Sequence, residues 1–348
     1  MFKDPFDAKS LLGRRCSCGA DHEPQDHDKL TANSAQAAVP GGDEARWNRV
    51  VDAAVLRAVF PVDATRRQFL TTVGAATAMA MSGLDQALWD IKGKAAGWPL
   101  YKLLGGSNRP VPAYAGGISL GYQPPEALVA EAEPMVEMGY RALKLRIGDT
   151  VANDIARMTA VRRRFGDGIA ILTDANTGYS VADVRRVLPA MDELGIGWLE
   201  EPFPAHDHRS YALARSFGRT PLAAGENHYT RFEFNRVLED GSITILQPDL
   251  SKTGGLTEAL ALTDAARAAG FEVMVGCMLS TSLAMAPASL LAGLAEFVDL
   301  DGPLLLAKDR TPALRYEGDT LHPPTPELWG WSTLQSRNSV GIRRPSPG

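Results

Sequence analysis

The stretch that decides the fold is "RALKLRIGD", residues Arg141 to Asp149, a short apolar run that carries two cations. Side chains alternate along a β-strand, so Lys144 and Arg146 point toward the same face. Two like charges buried side by side are costly unless negative groups lie opposite them. The stretch therefore predicts a strand whose far end faces a cluster of acidic residues.

The same pattern, an apolar run that ends in polar residues, recurs from residue 111 onward. Amphipathic helical stretches such as "SVADVRRVLPAMDELG" separate the runs. The eight candidate strands are "VPAYAGGIS", "ALKLRIG", "IAILTDAN", "IGWLEEPF", "LAAGENH", "ITILQPDL", "EVMVGCMLS" and "FVDLDGP". Alternating strands and helices predict a parallel sheet, and eight strands predict a closed (β/α)₈ barrel of the TIM type. A doubly wound open sheet would need a glycine-rich phosphate-binding turn after its first strand, and the sequence has none there.

The composition excludes several classes of protein. The 348 residues carry a net charge of −5, with 45% hydrophobic and 22% charged residues. An acidic balance argues against a nucleic-acid surface. No segment of the sequence reaches the roughly 18 consecutive apolar residues of a membrane span. Three cysteines cannot build a disulfide framework. The chain therefore has the composition of an ordinary globular protein.

Acidic residues end three successive predicted strands, the third, fourth and fifth. They are Asp174 in "LTDAN", Glu200 in "WLEEP" and Glu226 in "AAGEN". In a barrel these ends meet at one mouth, where three carboxylates repel one another and raise their own pKa values. A hard divalent cation removes this repulsion, and oxygen-only ligands favour Mg²⁺ over zinc. The pattern therefore predicts a magnesium site.

The motifs "TDAN", "LEEP", "GEN" and "QPDLSKTGG" occur in the order found in one protein family. Over residues 82 to 325 the chain resembles the enolase superfamily, in its mandelate racemase and muconate lactonizing branch. The resemblance implies Mg²⁺ held by the three acids and removal of a proton α to a substrate carboxylate through an enediolate. It also implies a small-molecule carboxylate as partner and a homo-oligomer, with no nucleic acid and no membrane span.

The catalytic residues that the resemblance implies are Lys252, at the end of strand six, and the pair Lys144 and Arg146. Racemising members of the family carry Lys-x-Lys on strand two, whereas this chain has Lys-Leu-Arg. Arginine keeps its proton, so Arg146 is a poor base and is expected to act as a fixed cation. Lys252, with its pKa lowered by neighbouring cations, is then the expected base. Asn176 and Asp249 are expected to contact the substrate.

Different parts of the sequence favour different substrate classes. "DLDGP" places Asp299 and Asp301 on one face of strand eight, and with "GCMLSTS" it resembles the dipeptide epimerases, where such a pair receives the substrate's ammonium group. A helix cap and a solvated loop acid are the other interpretation of this pair. "GENHYTRFEF" and "LKLRIGD" resemble the acid-sugar dehydratases instead, with His228 as a candidate acid.

Three functions therefore stay open at this point. The first is racemisation or epimerisation of an amino acid or dipeptide, which we favour because two acids attract an ammonium group and repel a sugar acid's carboxylate. The second is dehydration of an acid sugar. The third is a barrel that binds carboxylates without turning them over, suggested by Arg146 and by the shortened N-terminal region.

The N-terminal region departs from the family pattern. Residues 1–81 resemble the twin-arginine leader of nitrate-type transporter binding proteins, with Arg66 and Arg67 ahead of a small apolar run, and we predict them to be largely disordered. Residues 82–110 resemble a remnant of the capping domain, which is thus truncated or replaced. The barrel is assigned to 111–325 and a tail to 326–348. We expect a cytoplasmic protein, or a periplasmic one if the leader directs export.

Overall fold

A computed structural model describes residues 63–106, 108–117, 121–229 and 231–329. Side chains are described from residue 79 onward, with the exception of Phe232. Residues 1–62 of the segment predicted to be largely disordered, and most of the predicted C-terminal tail, lie outside the described residues. The rest of that segment, residues 63–81, belongs to a helix, Asp63–Ala96, so the prediction of disorder does not hold for it. The chain divides into two units, residues 1–70 and residues 71–348. The first unit contributes only the start of a helix to the description, and the second contains the barrel.

Seven parallel strands, which follow the short strand β1 (Val111–Pro112), form the barrel wall in chain order. They are β2 (Ala142–Arg146), β3 (Ala170–Asp174), β4 (Leu199–Glu200), β5 (Leu222–Ala224), β6 (Ile245–Leu246), β7 (Glu272–Val275) and β8 (Phe297–Val298). Each strand pairs in parallel with the next one along the chain. All carboxyl ends of the strands therefore open at one mouth.

The extended segment after β1 closes the wall between β8 and β2. The amide of Tyr114 donates to the carbonyl of Val298 at 3.3 Å, and the amide of Ala115 donates to the carbonyl of Ala142 at 3.1 Å. The amide of Lys144 donates back to the carbonyl of Ala115 at 2.8 Å. This segment belongs to the first predicted strand, so the prediction of a barrel with eight strand positions is confirmed.

Helices alternate with the strands. The α-helices of the described residues are α1 (Asp63–Ala96), α2 (Leu100–Leu103), α3 (Pro125–Glu137), α4 (Val151–Phe165), α5 (Val181–Leu194), α6 (His208–Ala214), α7 (Arg231–Asp240), α8 (Leu256–Ala268) and α9 (Ser282–Ala292). Local sequence sets their starts: Ser180 and Asp183 form a reciprocal capping box at α5. Within the described part of the chain, no helix is long and apolar enough to cross a membrane.

The alternation of side chains along the strands separates two apolar layers. The outer layer packs between the strands and the helices, and its members include Ile171 and Leu199. The inner layer fills the barrel with Tyr114, Leu172, Trp198, Ala223, Ile245 and Met274. Asp174 follows Leu172 by two residues and Glu200 follows Trp198 by two, so both acids continue the inward-facing rows. The packing of the core thus points these two carboxylates into the mouth.

Two further elements flank the barrel. Strand β1 pairs with β10 (Thr320–Leu321), which pairs with β9 (Tyr316–Glu317), in a small antiparallel sheet. The second half of α1 contacts the start of α8, where the amide of Thr257 donates to Asp85 at 3.0 Å and Trp89 donates to the Thr257 hydroxyl at 2.8 Å. The predicted twin-arginine motif lies in α1 ahead of the described side chains, and it stays a prediction.

Candidate metal and acid–base site

The three acids predicted to bind a metal meet at the barrel mouth. Asp174 ends β3, Glu200 ends β4, and Glu226 follows β5 by two residues. One carboxylate oxygen from each lies within 4.8 Å of the others. Asp174 and Glu200 are fully buried, whereas Glu226 is partly exposed. The structure therefore brings together three carboxylates that could bind a metal. Asp174 and Glu200 are shielded from solvent by the barrel, and the cluster is accessible to solvent at Glu226.

Lys144 faces these acids from β2. Its Nζ lies 2.5 Å from Asp299 Oδ2, 3.2 Å from Glu200 Oε2 and 3.7 Å from Asp174 Oδ2. Burial opposes the charged form of this lysine, but Asp299 and Glu200 outweigh burial, so the pKa of Lys144 is raised. Neighbouring acids thus keep Lys144 positively charged. These acids are the acidic cluster that the sequence "RALKLRIGD" predicts opposite the two cations.

Arg146 contacts the same cluster further out. Its Nη1 donates to Asp174 Oδ2 in a short ion pair and to Asn176 Oδ1 at 3.1 Å. The amide nitrogen of the Asn176 side chain donates to Glu226 Oε1 at 3.3 Å and to Asp174 Oδ2 at 3.2 Å. Asn176 adopts a left-handed backbone with φ of 41°, which asparagine tolerates better than most residues. Asn176 therefore bridges two of the predicted metal ligands.

The charges at the mouth are unbalanced. Asp174, Glu200, Glu226 and Asp299 supply four carboxylates, and Lys144 and Arg146 offset only two of them. Burial, together with Glu226 and Asp299, raises the pKa of Glu200 despite the neighbouring Lys144. A divalent cation would bring this set close to neutrality, and its oxygen-only donors suit Mg²⁺. The residues present therefore fit the metal that the sequence predicts, with Asp174, Glu200 and Glu226 as its ligands.

Lys252 approaches the mouth from the turn after β6 and is largely buried. Its Nζ lies 3.8 Å from Asp249 Oδ2. The other carboxylate oxygen of Asp249 accepts from the amide and the hydroxyl of Ser251, at 2.8 Å and 2.6 Å. Burial raises the pKa of Asp249, although Lys252 and Ser251 oppose the shift. Asp249, expected from the sequence to contact the substrate, is thus seen beside the expected base.

Asp299 and Asp301 follow β8, which only the segment after β1 separates from β2. Both are buried, at 5% and 6% exposure, which excludes a solvated loop acid. Asp301 Oδ2 accepts from the amide of Gly116 at 2.7 Å and makes no bond to the short 3₁₀ helix Gly302–Leu305 that follows it. Burial and Asp299 raise the pKa of Asp301 to about 7. Asp301 thus occupies the cap position of this short helix, but its side chain bonds to Gly116 and does not cap the helix.

Gly116 allows this acidic pair to approach the chain. A Cβ at this position would lie 2.9 Å from Asp299 Oδ1 and 3.6 Å from Asp301 Oδ2. The thiol of Cys277 also lies within 4.8 Å of a carboxylate oxygen of each acid. Burial, with the charges of Asp299 and Asp301, raises the pKa of this thiol well above its ordinary value. Cys277 is thus a neutral wall residue, not a thiolate.

His228 does not reach the mouth. Its side chain is 3% exposed, and its ring packs 5.5 Å from the ring of Phe234. It lines a small cavity with Tyr211, Ala224 and Ser242, on the side of β5 that faces the helices. Among the described residues, neither ring nitrogen has a hydrogen-bond partner. The hypothesis that His228 supplies an acid at the mouth is not supported, because the chain turns its ring into the outer layer.

We expect His228 to make folding acid-sensitive. Burial lowers the pKa of His228 from 6.5 to about 4, so the unfolded chain binds the proton more readily and stability falls as the pH drops through this window. Roughly 2 kcal/mol should be lost at about pH 5. Buried carboxyls with a raised pKa, such as Asp301, gain stability over the same range, so the readout is the free energy of unfolding of His228→Phe relative to wild type. This difference should shift in favour of the variant by roughly the same amount when urea denaturation is compared at about pH 7 and about pH 5. His206→Phe, at an exposed histidine, is the control and should leave the loss unchanged; an equal loss in His228→Phe and wild type would contradict this account.

Glu201 is the site residue that sequence reasoning missed. It is fully buried, and its carboxylate accepts from the amides of Gly225 and Asn227, at 2.9 Å and 3.4 Å, and from the hydroxyl of Tyr211 at 3.1 Å. Burial, with contributions from Glu226 and Glu200, raises its pKa to about 7. The motif "LEEP" could have indicated this residue. Side chains alternate along a strand, so only one of two successive acids points into the mouth, and the other needs hydrogen-bond donors in the outer layer.

Comparison with protein families matches two regions of the chain. The family model described as "Enolase C-terminal domain-like" matches residues 127–330. The model described as "Mandelate racemase / muconate lactonizing enzyme, N-terminal domain" matches residues 34–105. The second match begins inside the segment predicted to be a leader, so the sequence of residues 34–81 is similar to the family's N-terminal domain.

Individual relatives carry different activities in their names. An N-acetyl-D-glutamate racemase from Pseudoalteromonas is 34% identical over 72% of this chain and 76% of the relative. An arabinonate dehydratase from Saccharolobus solfataricus is 36% identical over 56% of this chain. The match spans about half the length of that dehydratase, 52%, and 49% of a 3,6-anhydro-alpha-L-galactonate cycloisomerase from Streptomyces coelicolor.

A solved structure with a bound substrate has the same fold. The substrate-liganded complex of the L-Ala-D/L-Glu epimerase from Bacillus subtilis superposes with a TM-score of 0.67 at 30% identity. The match covers 70% of this chain and 69% of the epimerase. The epimerase thus shares the architecture described above.

Proposed function

This chain belongs to the mandelate racemase and muconate lactonizing enzyme family of the enolase superfamily, and we propose that it removes the proton α to a substrate carboxylate. The proposed outcome is racemisation or epimerisation of an amino acid or dipeptide. The observation that carries the proposal is that the three cations at the mouth have different ion-pair partners. Lys144 and Arg146 are paired with the clustered carboxylates, whereas the ion pair seen for Lys252 is with Asp249 alone.

Lys252 is the proposed base. In its amine form it takes the α-proton, and the electron pair of the broken C–H bond moves into the substrate carboxylate to give an enediolate. The resulting ammonium group of Lys252 lies 3.8 Å from the buried carboxylate of Asp249, which is its counter-charge. Lys144 and Arg146 are positioned as fixed cations for the negative charge that develops on the substrate.

Asp174, Glu200 and Glu226 are the residues that would hold Mg²⁺. When bound, the metal supplies Lewis-acid stabilisation of the charge on the substrate carboxylate. The excess of carboxylates over cations at the mouth supports this assignment. Lys144 and Arg146 then share the acids with the metal, and their charges become available to the substrate.

The acids of β8 support an amine-bearing substrate. Asp299 is paired with Lys144, which leaves Asp301 as the carboxylate of this pair without an ion pair among the described residues. An ammonium group placed beside Asp301 would stabilise its charged form, and the carboxylate of a sugar acid would be repelled. The racemase and epimerase relatives are consistent with this choice.

Dehydration of an acid sugar is the second candidate function. The arabinonate dehydratase relative favours it, as do the motifs around Glu226. The orientation of His228 weakens it, because the described residues then lack the histidine that the sequence suggested for the leaving hydroxyl. A barrel that only binds carboxylates has no use for a buried lysine at its mouth, so the retention of Lys252 weakens that third alternative.

A mass-spectrometric screen tests the proposal. Hydrophobic and acidic L-dipeptides, N-acylated amino acids and a panel of acid sugars are incubated with the full chain and Mg²⁺ in deuterated water. We expect one deuterium to enter at the α-carbon of an amine-bearing or N-acylated compound. Loss of water from an acid sugar, with the other compounds inert, would select dehydration instead. Binding of a compound without exchange in any would favour the non-catalytic barrel.

A further inference from the structure

We propose that Glu201 is a positioning residue that sets the Mg²⁺ affinity of the site by holding Glu226 in place. The proposal rests on the proposed metal site and adds a residue that faces away from it. Glu201 follows Glu200 on β4, and its side chain points into the layer between the wall and α6. It therefore acts on the site through the backbone of its neighbours, not by contact with the metal or the substrate.

One carboxylate oxygen of Glu201 binds both amides that flank Glu226. Oε1 accepts from the amide of Gly225 at 2.9 Å and from the amide of Asn227 at 3.4 Å. The residue between these two amides is the only predicted metal ligand outside a strand, so strand pairing alone does not hold it. Glu201 thus fixes the backbone around Glu226, which lies in a loop. For Asp174 and Glu200, pairing between strands fixes the backbone.

The backbone of Gly225 leaves little freedom for another arrangement. Its φ is 155°, and a Cβ there would lie 2.1 Å from the carbonyl oxygen of Gln247, the residue that follows β6. Only glycine permits this close approach, which directs the Gly225 amide toward Glu201. The loop is therefore pinned between β6 on one side and the Glu201 carboxylate on the other.

Glu201 also reaches the loop that carries Asn176. Its carbonyl oxygen accepts from the amide of Thr177 at 2.6 Å, and Asn176 contacts both Asp174 and Glu226. Glu201 itself adopts a left-handed backbone, with φ of 40°. Such a conformation costs a non-glycine residue free energy and persists where the surroundings determine it. Glu201 therefore forms hydrogen bonds with both the loop of Glu226 and the loop of Asn176, which form the solvent-accessible side of the cluster.

A carboxylate suits this position better than an amide. Two backbone N–H groups donate to Oε1. The hydroxyl of Tyr211 lies 3.1 Å from Oε2 and 2.8 Å from the carbonyl of Phe203, so these two acceptors share its single proton. The ionised carboxylate binds the two N–H groups more strongly than the neutral side-chain oxygen of glutamine would. Glu201→Gln should therefore loosen the loop with almost no change in side-chain volume.

The control is Asp154, a second buried carboxylate that holds a loop through two backbone amides and a tyrosine hydroxyl and that also pairs with Arg157 at 2.8 Å. This fully buried carboxylate accepts from the amides of Gly148 and Asp149, both at 3.1 Å, and from the hydroxyl of Tyr179 at 2.7 Å. The loop that it holds follows β2 and contains no predicted metal ligand. Asp154→Asn therefore damages a comparable buried loop contact, and also breaks the ion pair with Arg157, without touching the loop of Glu226.

The test is calorimetric titration of Mg²⁺ into the full chain without substrate, alongside thermal denaturation. We expect Glu201→Gln to weaken Mg²⁺ binding by about 10–100-fold, as is typical for groups that orient a metal ligand. Asp154→Asn should lower the melting temperature but keep the wild-type Mg²⁺ affinity. Tyr211→Phe removes the hydroxyl that Glu201 Oε2 shares with the carbonyl of Phe203 and leaves both amide bonds to Oε1 in place. It should weaken Mg²⁺ binding less than Glu201→Gln and keeps the test open if that variant does not fold.

The outcomes separate this proposal from the one on which it rests. Unchanged Mg²⁺ affinity in Glu201→Gln and Tyr211→Phe, with binding lost in Glu226→Gln, would overturn the role of Glu201 and leave the metal site intact. An equal weakening in Glu201→Gln and Asp154→Asn would reduce Glu201 to a general stabilising residue. A wild-type chain that binds no Mg²⁺ would remove the metal site and this proposal together.

Discussion

Lys252→Ala is expected to lower α-proton exchange by a factor of about 10²–10⁴, the usual contribution of a general base. Alanine offers no group that can accept the proton, while Lys144 and Arg146 remain bound to their acids and cannot replace it. The measurement is the rate of deuterium entry at the α-carbon of the compound that the screen identifies. Since Lys252 lies beside Asp249, a melting curve is recorded to show that the variant is folded.

Two control variants separate a base from a mere positive charge. Lys252→Arg keeps the cation but not a titratable amine, so it should lose nearly as much exchange as Lys252→Ala. Lys308→Ala, at an exposed lysine, should exchange at the wild-type rate. Exchange that survives in Lys252→Ala, or that Lys252→Arg restores, would refute the assignment of Lys252 as the base.

Arg146→Lys addresses the opposite face of the substrate within the same experiment. An enzyme with one base exchanges the α-proton faster than it inverts the carbon, because the returning proton comes mostly from the face that lost it. Arg146 cannot serve as the second base, since its guanidinium stays protonated. A lysine at this position should therefore raise the rate of inversion relative to exchange, when both are followed by chiral chromatography and mass spectrometry.

Strand alternation accounts for most of what the sequence predicts correctly. The rows that contain Leu172 and Trp198 continue into Asp174 and Glu200, so a period of two was enough to point both acids into the mouth. Lys144 and Arg146 follow the same rule on β2. The barrel itself follows from the regular alternation of strands and helices, and the comparisons confirm the family.

Contacts between residues far apart in sequence could not be predicted in this way. The ion pair of Lys144 with Asp299 joins β2 to the end of β8, and it forms only because the segment through Tyr114 and Ala115 closes the wall. The role of each acid in "DLDGP" depends on this closure, since Asp299 is neutralised by Lys144 and Asp301 is not. Spacing shows that two acids share a face but does not show which cation each one meets.

Loops after the strands escaped prediction for a different reason. A loop has no fixed period, so the direction of a side chain depends on its backbone hydrogen bonds. Glu226 points into the mouth and His228, two residues later, points into the helix layer. The Glu201 carboxylate and the close approach of Gly225 to Gln247 shape the backbone of this loop. Neither contact is visible in the sequence of the loop itself.

Removal of divalent metal should have the second large effect: chelation with EDTA should abolish exchange, and re-addition of Mg²⁺ should restore it. A ligand that binds only the folded state at 100 times its dissociation constant stabilises by about 2.7 kcal/mol. For a domain of this size that corresponds to a rise in melting temperature of roughly 5–10 °C. The measurement is therefore the melting temperature of the EDTA-treated chain across a Mg²⁺ titration, which needs no knowledge of the substrate.

Glu226→Gln is the sharpest variant for this titration, because Glu226 is the partly exposed member of the cluster and its described hydrogen-bond partner is the neutral Asn176. Loss of Asp174 or Glu200 would instead leave Arg146 or Lys144 with an unbalanced charge in the wall, and the fold could suffer for that reason alone. Glu226→Gln should stay folded and lose the Mg²⁺-dependent rise, while Glu239→Gln, at an exposed acid, should keep it. A melting temperature that ignores Mg²⁺ in the wild type, or that rises equally in Glu226→Gln, would mean that Lys144 and Arg146 already satisfy these acids and that no metal is required to balance them.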